Sequence, residues 1–154
     1  MMKRTILSLL VRDQFGTLTR ITALFARLGC NIDSLSACAA KEEGKTVITI
    51  TVLGQEEKIR QINNILGRLE ALEQHRILSG DGLVEKTSAL VQLKKTPHQL
   101  PNIQELLLQQ KTLEDGSVLL SLFGDEAIIK SLLPQLEPYG IKQYVSSGPA
   151  AMNL

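Results

Sequence analysis

Along the first thirty positions, apolar and polar residues follow a strand pattern and then a helix pattern. Thr5 to Val11 is a short, nearly continuous apolar run that stops at polar residues, which predicts a buried strand. From Gly16 onward, apolar residues recur every three or four positions, as on one face of a helix. Gly29 predicts the end of this helix, because glycine readily adopts the left-handed C-cap conformation. The apolar positions are Leu18, Ile21, Phe25 and Leu28.

Two strands, a second helix and a last strand complete the pattern up to residue 78. In the clearest strand, Thr46–Leu53, Val and Ile alternate with Thr, and Gly54 is predicted to interrupt it. The other elements are a strand at Ile32–Ala39, a turn at Lys41–Gly44, a helix carrying Ile59, Ile62, Leu66 and Leu69, and a weaker strand at Ala71–Leu78. The order β-α-β-β-α-β is that of the ferredoxin-like fold.

After a linker-like Ser79–Gly82, the same order of elements is predicted again, without a repeat of the sequence. Asp115 and Gly116 form a hairpin signal, and Pro134 is expected to weaken the last turn of its helix. The elements are a strand at Thr87–Leu93, a loop at Pro97–Pro101, a helix at Asn102–Gln110 with Ile103, Leu106 and Leu107 inward, a short strand at Lys111–Glu114, a strand at Ser117–Phe123, a helix at Asp125–Leu136 and a strand at Ile141–Val145. The sequence therefore predicts an α+β chain with two ferredoxin-like βαββαβ domains in tandem, residues 4–79 and 84–154.

Composition excludes several classes of function. The 154 residues include 17 Lys and Arg against 16 Asp and Glu, a net charge of +1, and aromatics are 3% with no Trp. A nucleic-acid partner is not expected, because such proteins usually carry a basic excess or aromatic platforms for bases. The apolar runs are too short to span a bilayer, and the first residues do not form a signal peptide. Cys30 and Cys38 fit neither a disulfide framework nor a metal or redox motif, which favours a reduced, cytoplasmic protein.

Catalytic and metal motifs are absent from the sequence. There is no G-x-S-x-G, no P-loop and no G-x-G-x-x-G, and His75 and His98 have no partner at metal-ligand spacing. The Gly80–Gly82 triplet resembles the start of a thiamine-diphosphate motif, but the paired asparagines of that motif do not follow it. We therefore predict no catalytic residue and no metal ligand in this chain.

One loop, Arg12–Gly16, has the composition of a binding site for a small zwitterion. A glycine at a helix start exposes backbone N–H groups that favour a carboxylate, and Asp13 could accept hydrogen bonds from an ammonium group. Asn31, just beyond the helix, offers a donor and an acceptor. The alternative is structural: Asp13 and Gly16 cap the helix and Asn31 fills a turn. Local chemistry alone favours this structural role.

The segment around the first helix resembles a known family. Arg20 to Leu35 is similar to a pattern R-I-x-x-L-F-x-R-x-G-x-N-I-[DE]-S-L that is typical of the ACT domain in the small, regulatory subunit of acetolactate synthase. Asp13-x-x-Gly16 precedes it, as in that family, although Asp13 stands where Asn is more common. The resemblance covers the first eighty residues well and continues weakly through Ala89–Leu93 and Tyr144–Pro149, the latter resembling a closing strand and a Ser-Gly turn.

The resemblance implies a regulatory subunit that is not an enzyme by itself. Such a subunit binds and activates the catalytic large subunit in isoleucine and valine biosynthesis, and it confers feedback inhibition by valine or another branched-chain amino acid. Thiamine diphosphate, Mg and FAD would belong to the large subunit, with no cofactor in this chain. The alternative is a free-standing ACT-type sensor of amino acids that regulates a different enzyme.

Small ferredoxin-like units with an open sheet edge also favour a homodimer, paired through the ACT domains. The effector is then expected at the subunit interface. The loop with Asp13 and Gly16 would come from one chain and Asn31 from its neighbour. The predicted apolar wall consists of Leu9, Phe15 and Ile32.

Overall fold

A computed structural model of the chain describes residues 2–98 and 105–154. The chain divides into two compact units, one running to Val84 together with Ala150–Leu154, the other Glu85–Pro149. Within the described residues, no helix is long and apolar enough to cross a membrane.

The first unit contains four strands and two helices. They are β1 (Met2–Arg12), α1 (Thr17–Arg27), β2 (Ile32–Ala39), β3 (Lys45–Gln55), α2 (Glu56–Leu66) and β4 (Leu72–Leu78). The strands form one sheet in the order β2-β3-β1-β4, and each neighbouring pair is antiparallel. The predicted ferredoxin-like order is confirmed, and β2 lies at one edge of the sheet.

The core of this unit lies between α1, α2 and one face of the sheet, which we call the helix-facing side. Side chains alternate between the two faces of a strand, so Leu7, Leu9 and Val11 of β1 all point to this side and are buried. Ile48 and Ile50 of β3 lie beside them, in register with Leu9 and Leu7. Leu9 has no exposed surface, so it is not available to contact a ligand.

Several predicted bounds in the first unit need correction. β3 does not end before Gly54 but continues through it, because Gly54 pairs with Lys3 of the equally extended β1. α2 ends at Leu66, so Leu69 packs against the core from the loop that follows. Leu18 is exposed, since the buried face of α1 consists of Thr17, Ile21, Leu24 and Phe25.

The second unit repeats the sheet arrangement. Its elements are β5 (Leu83–Leu93), β6 (Leu107–Thr112), β7 (Val118–Gly124), α3 (Glu126–Leu136), a 3₁₀ turn (Glu137–Tyr139) and β8 (Ile141–Asn153). The strand order β6-β7-β5-β8 corresponds to that of the first sheet, so the predicted fold class is confirmed.

The helix predicted for Asn102–Gln110 is wrong over its described part. Residues 107–110 belong to β6, which pairs with β7 from Leu107 opposite Leu122 to Thr112 opposite Val118. The strand predicted for Lys111–Glu114 is the end of this longer strand. Residues 99–104, which include most of the predicted loop and the start of the predicted helix, lie outside the described residues.

The last strand is also longer than predicted. The sequence indicated a strand at Ile141–Val145 and a Ser-Gly turn after it, whereas β8 continues to Asn153. Gly148 lies inside the strand with φ of +70°, a conformation that glycine adopts without strain. Gly148 therefore allows an irregular backbone conformation within the strand and does not form a turn at its end.

Candidate functional site

The loop between β1 and α1 has free space beside it at the start of the helix. Gly16 precedes the helix with φ of +79°, and its carbonyl accepts a hydrogen bond from Arg20 N–H at 2.9 Å. An added Cβ at Gly16 would meet nothing within 4 Å, so the space beside this residue is free. N–H groups in the first turn of an α-helix have no partner inside the helix; here that of Thr17 donates to the carbonyl of Gln14 at 3.2 Å, which leaves those of Leu18 and Thr19 at the helix start.

Backbone hydrogen bonds hold this loop to two other parts of the first unit. Arg12 N–H donates to the carbonyl of Ala71 at 2.9 Å, and the Arg12 guanidinium donates to the carbonyl of Glu70. Asp13 N–H donates to the carbonyl of Gly44 at 2.8 Å. The loop is therefore tied both to the α2–β4 connection and to the β2–β3 turn.

An ion-pair cluster secures the β2–β3 turn. Lys45 Nζ lies 2.5 Å from a Glu42 oxygen and 2.7 Å from a Glu73 oxygen. Hydrogen bonds to Glu42, and then to Glu73, raise the pKa of Lys45 above its ordinary value of 10.5. The cluster joins the turn to β4 and so fixes the carbonyl of Gly44 that Asp13 uses.

A cleft of about 780 Å³ opens beside the loop. One wall is the loop and the first turn of α1, and the floor is formed by helix-facing residues at the adjacent ends of three strands. The lining residues on the wall are Arg12, Asp13, Gln14, Phe15, Gly16, Thr17, Leu18 and Thr19, and those on the floor are Val11, Ala37, Thr46 and Ile48. The cleft therefore combines the start of a helix and one carboxylate with a mostly aliphatic floor.

Three of the five predicted ligand-binding residues line this cleft. Asp13, Phe15 and Gly16 lie on its wall, and the Phe15 side chain is fully exposed. Asn31 and Ile32 lie beyond the far end of α1, about 16 Å along the helix from Gly16, and they are not among the lining residues. Within one chain the structure does not bring the two groups together.

The prediction that Leu9 contributes an apolar wall is wrong for this chain. Leu9 is fully buried under α1 and α2 as part of the core. Sequence reasoning also missed the floor residues Ala37, Thr46 and Ile48. Their one signal is the period-two alternation of β2 and β3, which places them on the same face of the sheet as Val11.

The described residues contain neither a cluster suited to a metal ion nor an activated thiol. No three His, Cys, Asp or Glu side chains among residues 2–98 and 105–154 are placed to hold a metal ion. Cys30 and Cys38 are free thiols, and burial raises the pKa of Cys30, which disfavours its reactive thiolate.

Known proteins resemble this chain along its whole length. Residues 7–72 match the family described as the AHAS small subunit-like ACT domain. Over 97% of its length the chain is 30% identical to acetolactate synthase small subunit 2, chloroplastic, of Arabidopsis thaliana, and it spans 32% of that longer protein. It is 29% identical over 96% of its length to the acetolactate synthase small subunit of Mycolicibacterium smegmatis, and spans 89% of it.

A solved structure shares the fold. The crystal structure of the acetolactate synthase small subunit from Thermotoga maritima matches 99% of this chain and 98% of that one, with a TM-score of 0.82. The two chains are 20% identical, so this likeness concerns the arrangement of the backbone.

Proposed function

We propose that the chain is a member of the family of acetolactate synthase small subunits, and that it regulates an acetolactate synthase large subunit without being catalytic itself. It binds the large subunit, raises its activity and transmits inhibition by a branched-chain amino acid. Thiamine diphosphate, Mg and FAD belong to the large subunit. Its two free thiols fit a reducing compartment such as the cytoplasm.

The observation that carries the proposal is the extent of the similarity. A shared ACT domain alone would suit many regulatory proteins, whereas here the similarity continues through both units, over 96% of this chain and 89% of the Mycolicibacterium smegmatis relative. The cleft supports it, since its walls and floor suit the two ends and the side chain of an aliphatic amino acid.

The effector binds in the cleft with its carboxylate at the N–H groups of the α1 start. The positive end of the helix dipole and the free space beside Gly16 favour this orientation. The ammonium group then faces the carboxylate of Asp13. Bound this way, the amino acid is recognised by charge at one end and by apolar contact at the other.

A second copy of the chain completes the site. Asn31 cannot reach the cleft of its own chain, whereas β2, which contributes Ala37 to the floor, is an edge strand open to pairing. A homodimer through the first units brings Asn31 and Ile32 of the neighbour to the open side of the cleft. The effector therefore lies at the subunit interface.

Reconstitution tests the proposal. Purified acetolactate synthase large subunit, supplied with thiamine diphosphate, Mg and FAD, should form acetolactate from pyruvate faster when this chain is added, and valine, leucine or isoleucine should reverse the gain. The chain alone should form none. The Gly16→Asp variant is the matched control, which should still activate but should not respond to the amino acid.

Two outcomes would contradict the proposal. Acetolactate formation by the chain freed of large subunit would show that it is an enzyme. Binding of the amino acid without any effect on, or association with, the large subunit would instead favour the free-standing sensor.

A further inference from the structure

The depth of the cleft comes from small side chains on the edge strand β2. Leu35, Ala37 and Ala39 alternate onto the helix-facing side of this strand. Leu35 packs against the core. The next residue on the same side of the strand is Ala37, and the cleft begins there. A leucine at position 37 would therefore make the cleft shallower at this point.

The register of the sheet shows what lies beneath that space. Ala37 is paired with Ile48 on β3, and Ile48 is paired with the buried Leu9 on β1. In the neighbouring row, Thr46 is paired with Val11. Every floor residue except Thr46 is purely aliphatic, and no charged group rises from the floor.

From these contacts we infer that Ala37 determines how long an effector side chain the cleft accepts. The inference rests on the proposed function and assigns the aliphatic side chain of the amino acid to the cleft floor, where Ala37 is exposed and the buried Ile48 and Val11 lie beside it. The α-ammonium and α-carboxylate groups stay at the loop. Phe15, fully exposed at the rim, lies above the side chain and not beneath it.

The size of the alanine matters because apolar pockets discriminate by volume. One methylene too many in such a pocket changes affinity by about 10-fold to 200-fold. With alanine at position 37, a side chain of four carbons can extend along β2 over Ile48. With leucine there, the floor rises by three carbon atoms and only short side chains fit.

The test compares Ala37→Leu with Cys38→Leu. Cys38 is the next residue of the same edge strand, is exposed and points to the opposite face, so any effect on strand pairing is shared by the two variants. Calorimetry on the full chain with alanine, valine, leucine and isoleucine gives the four affinities. We expect Ala37→Leu to weaken the binding of leucine and isoleucine, relative to the binding of alanine, by at least about 10-fold. Cys38→Leu should leave these ratios as in the wild type.

A second measurement uses the unaltered chain and so does not depend on the folding of a variant. Straight-chain amino acids from alanine to norleucine should bind more tightly with each added carbon, by roughly fourfold per methylene. Affinity that does not change with chain length would overturn the inference, as would ratios that are equal in Ala37→Leu and the wild type. If the wild type binds none of these amino acids, it is the proposed function that fails, and the inference fails with it.

Discussion

The backbone N–H of Asp13 donates a 2.8 Å hydrogen bond to the carbonyl of Gly44, a residue of another loop 31 positions further along the sequence. This hydrogen bond fixes the position of the Asp13 backbone, because the acceptor residue Gly44 is followed by Lys45, which Glu42 and Glu73 hold in place. The position of the loop is therefore set by the β2–β3 turn as well as by the end of β1.

Gly16→Asp is expected to abolish amino-acid binding, because its carboxylate would occupy and repel the place of the ligand carboxylate. Gly16→Asn is the matched control, since asparagine has the same shape without the charge and tolerates positive φ better than most residues. Calorimetry should show no binding for Gly16→Asp and measurable binding for Gly16→Asn. Equal affinities for the wild type and Gly16→Asp would disprove the location of the site.

Asn31→Ala should weaken effector binding by about 1–3 kcal/mol, because it removes an amide partner of the desolvated ligand. Since Asn31 acts on the cleft of the neighbouring chain, Gly16→Asp and Asn31→Ala chains should complement each other when mixed. Each mixed dimer has one site with an intact loop and an intact Asn31. Titration of the refolded mixture should recover tight sites that neither variant has alone; their absence would contradict a shared site.

Phe15→Ser is expected to weaken self-association by about 2 kcal/mol, because Phe15 lies at the rim of the cleft whose open side the neighbouring chain is proposed to cover, and aromatic side chains often carry that much of an interface. The free energy of unfolding of the monomer should change by less than about 0.5 kcal/mol, because Phe15 is fully exposed. Sedimentation over a range of concentrations measures the first effect. Leu108→Ser, at an exposed apolar residue of the second unit, serves as the control and should leave the association constant unchanged.

Asp115→Asn should reduce the acid sensitivity of the second unit. Lys142 Nζ lies 2.8 Å from one Asp115 oxygen, and Ser117 donates to the other through its hydroxyl and its backbone N–H. These bonds, that from Lys142 first, hold the pKa of Asp115 well below its ordinary value of 3.8, so the folded chain favours the ionised form. Their contribution to stability is present above about pH 5 and is lost as the pH falls through the acid range.

Acid unfolding monitored by circular dichroism checks this expectation. The variant should be less stable than the wild type at pH 7, and the difference should shrink below pH 4. Glu114→Gln removes the neighbouring exposed carboxylate as a control and should keep the acid response of the wild type.

The fold was predictable where local pattern and tertiary pairing agree. Ile32–Ala39 forms a strand with the predicted bounds, and Thr46–Leu53 lies within β3, whose Val, Ile and Thr residues favour extended backbone. The adjacent Leu106 and Leu107 fit a helix as well as a strand. Pairing with β7 decides between them, and this contact with distant residues is not visible in the local sequence.

The loop that lines the candidate cleft was predictable from the sequence, and the floor of the cleft was not. A glycine before a helix indicates open donors by itself, so Asp13, Phe15 and Gly16 could be named from the sequence. Ala37 and Thr46 carry no such chemistry. They line the cleft because β2 ends and β3 begins beside the start of α1, which only the assembled sheet determines.

The hydrogen bond from Leu154 N–H to the carbonyl of Gly82, at 2.8 Å, has a consequence for anyone who wishes to excise the first unit. Asn153 also donates to the carbonyl of Ser79, so the last residues of the chain lie beside the segment at which a truncation would normally be made. A gene fragment that stops at Val84 deletes these contacts. A faithful excision would instead splice Ala150–Leu154 back onto Val84 through a short flexible connector.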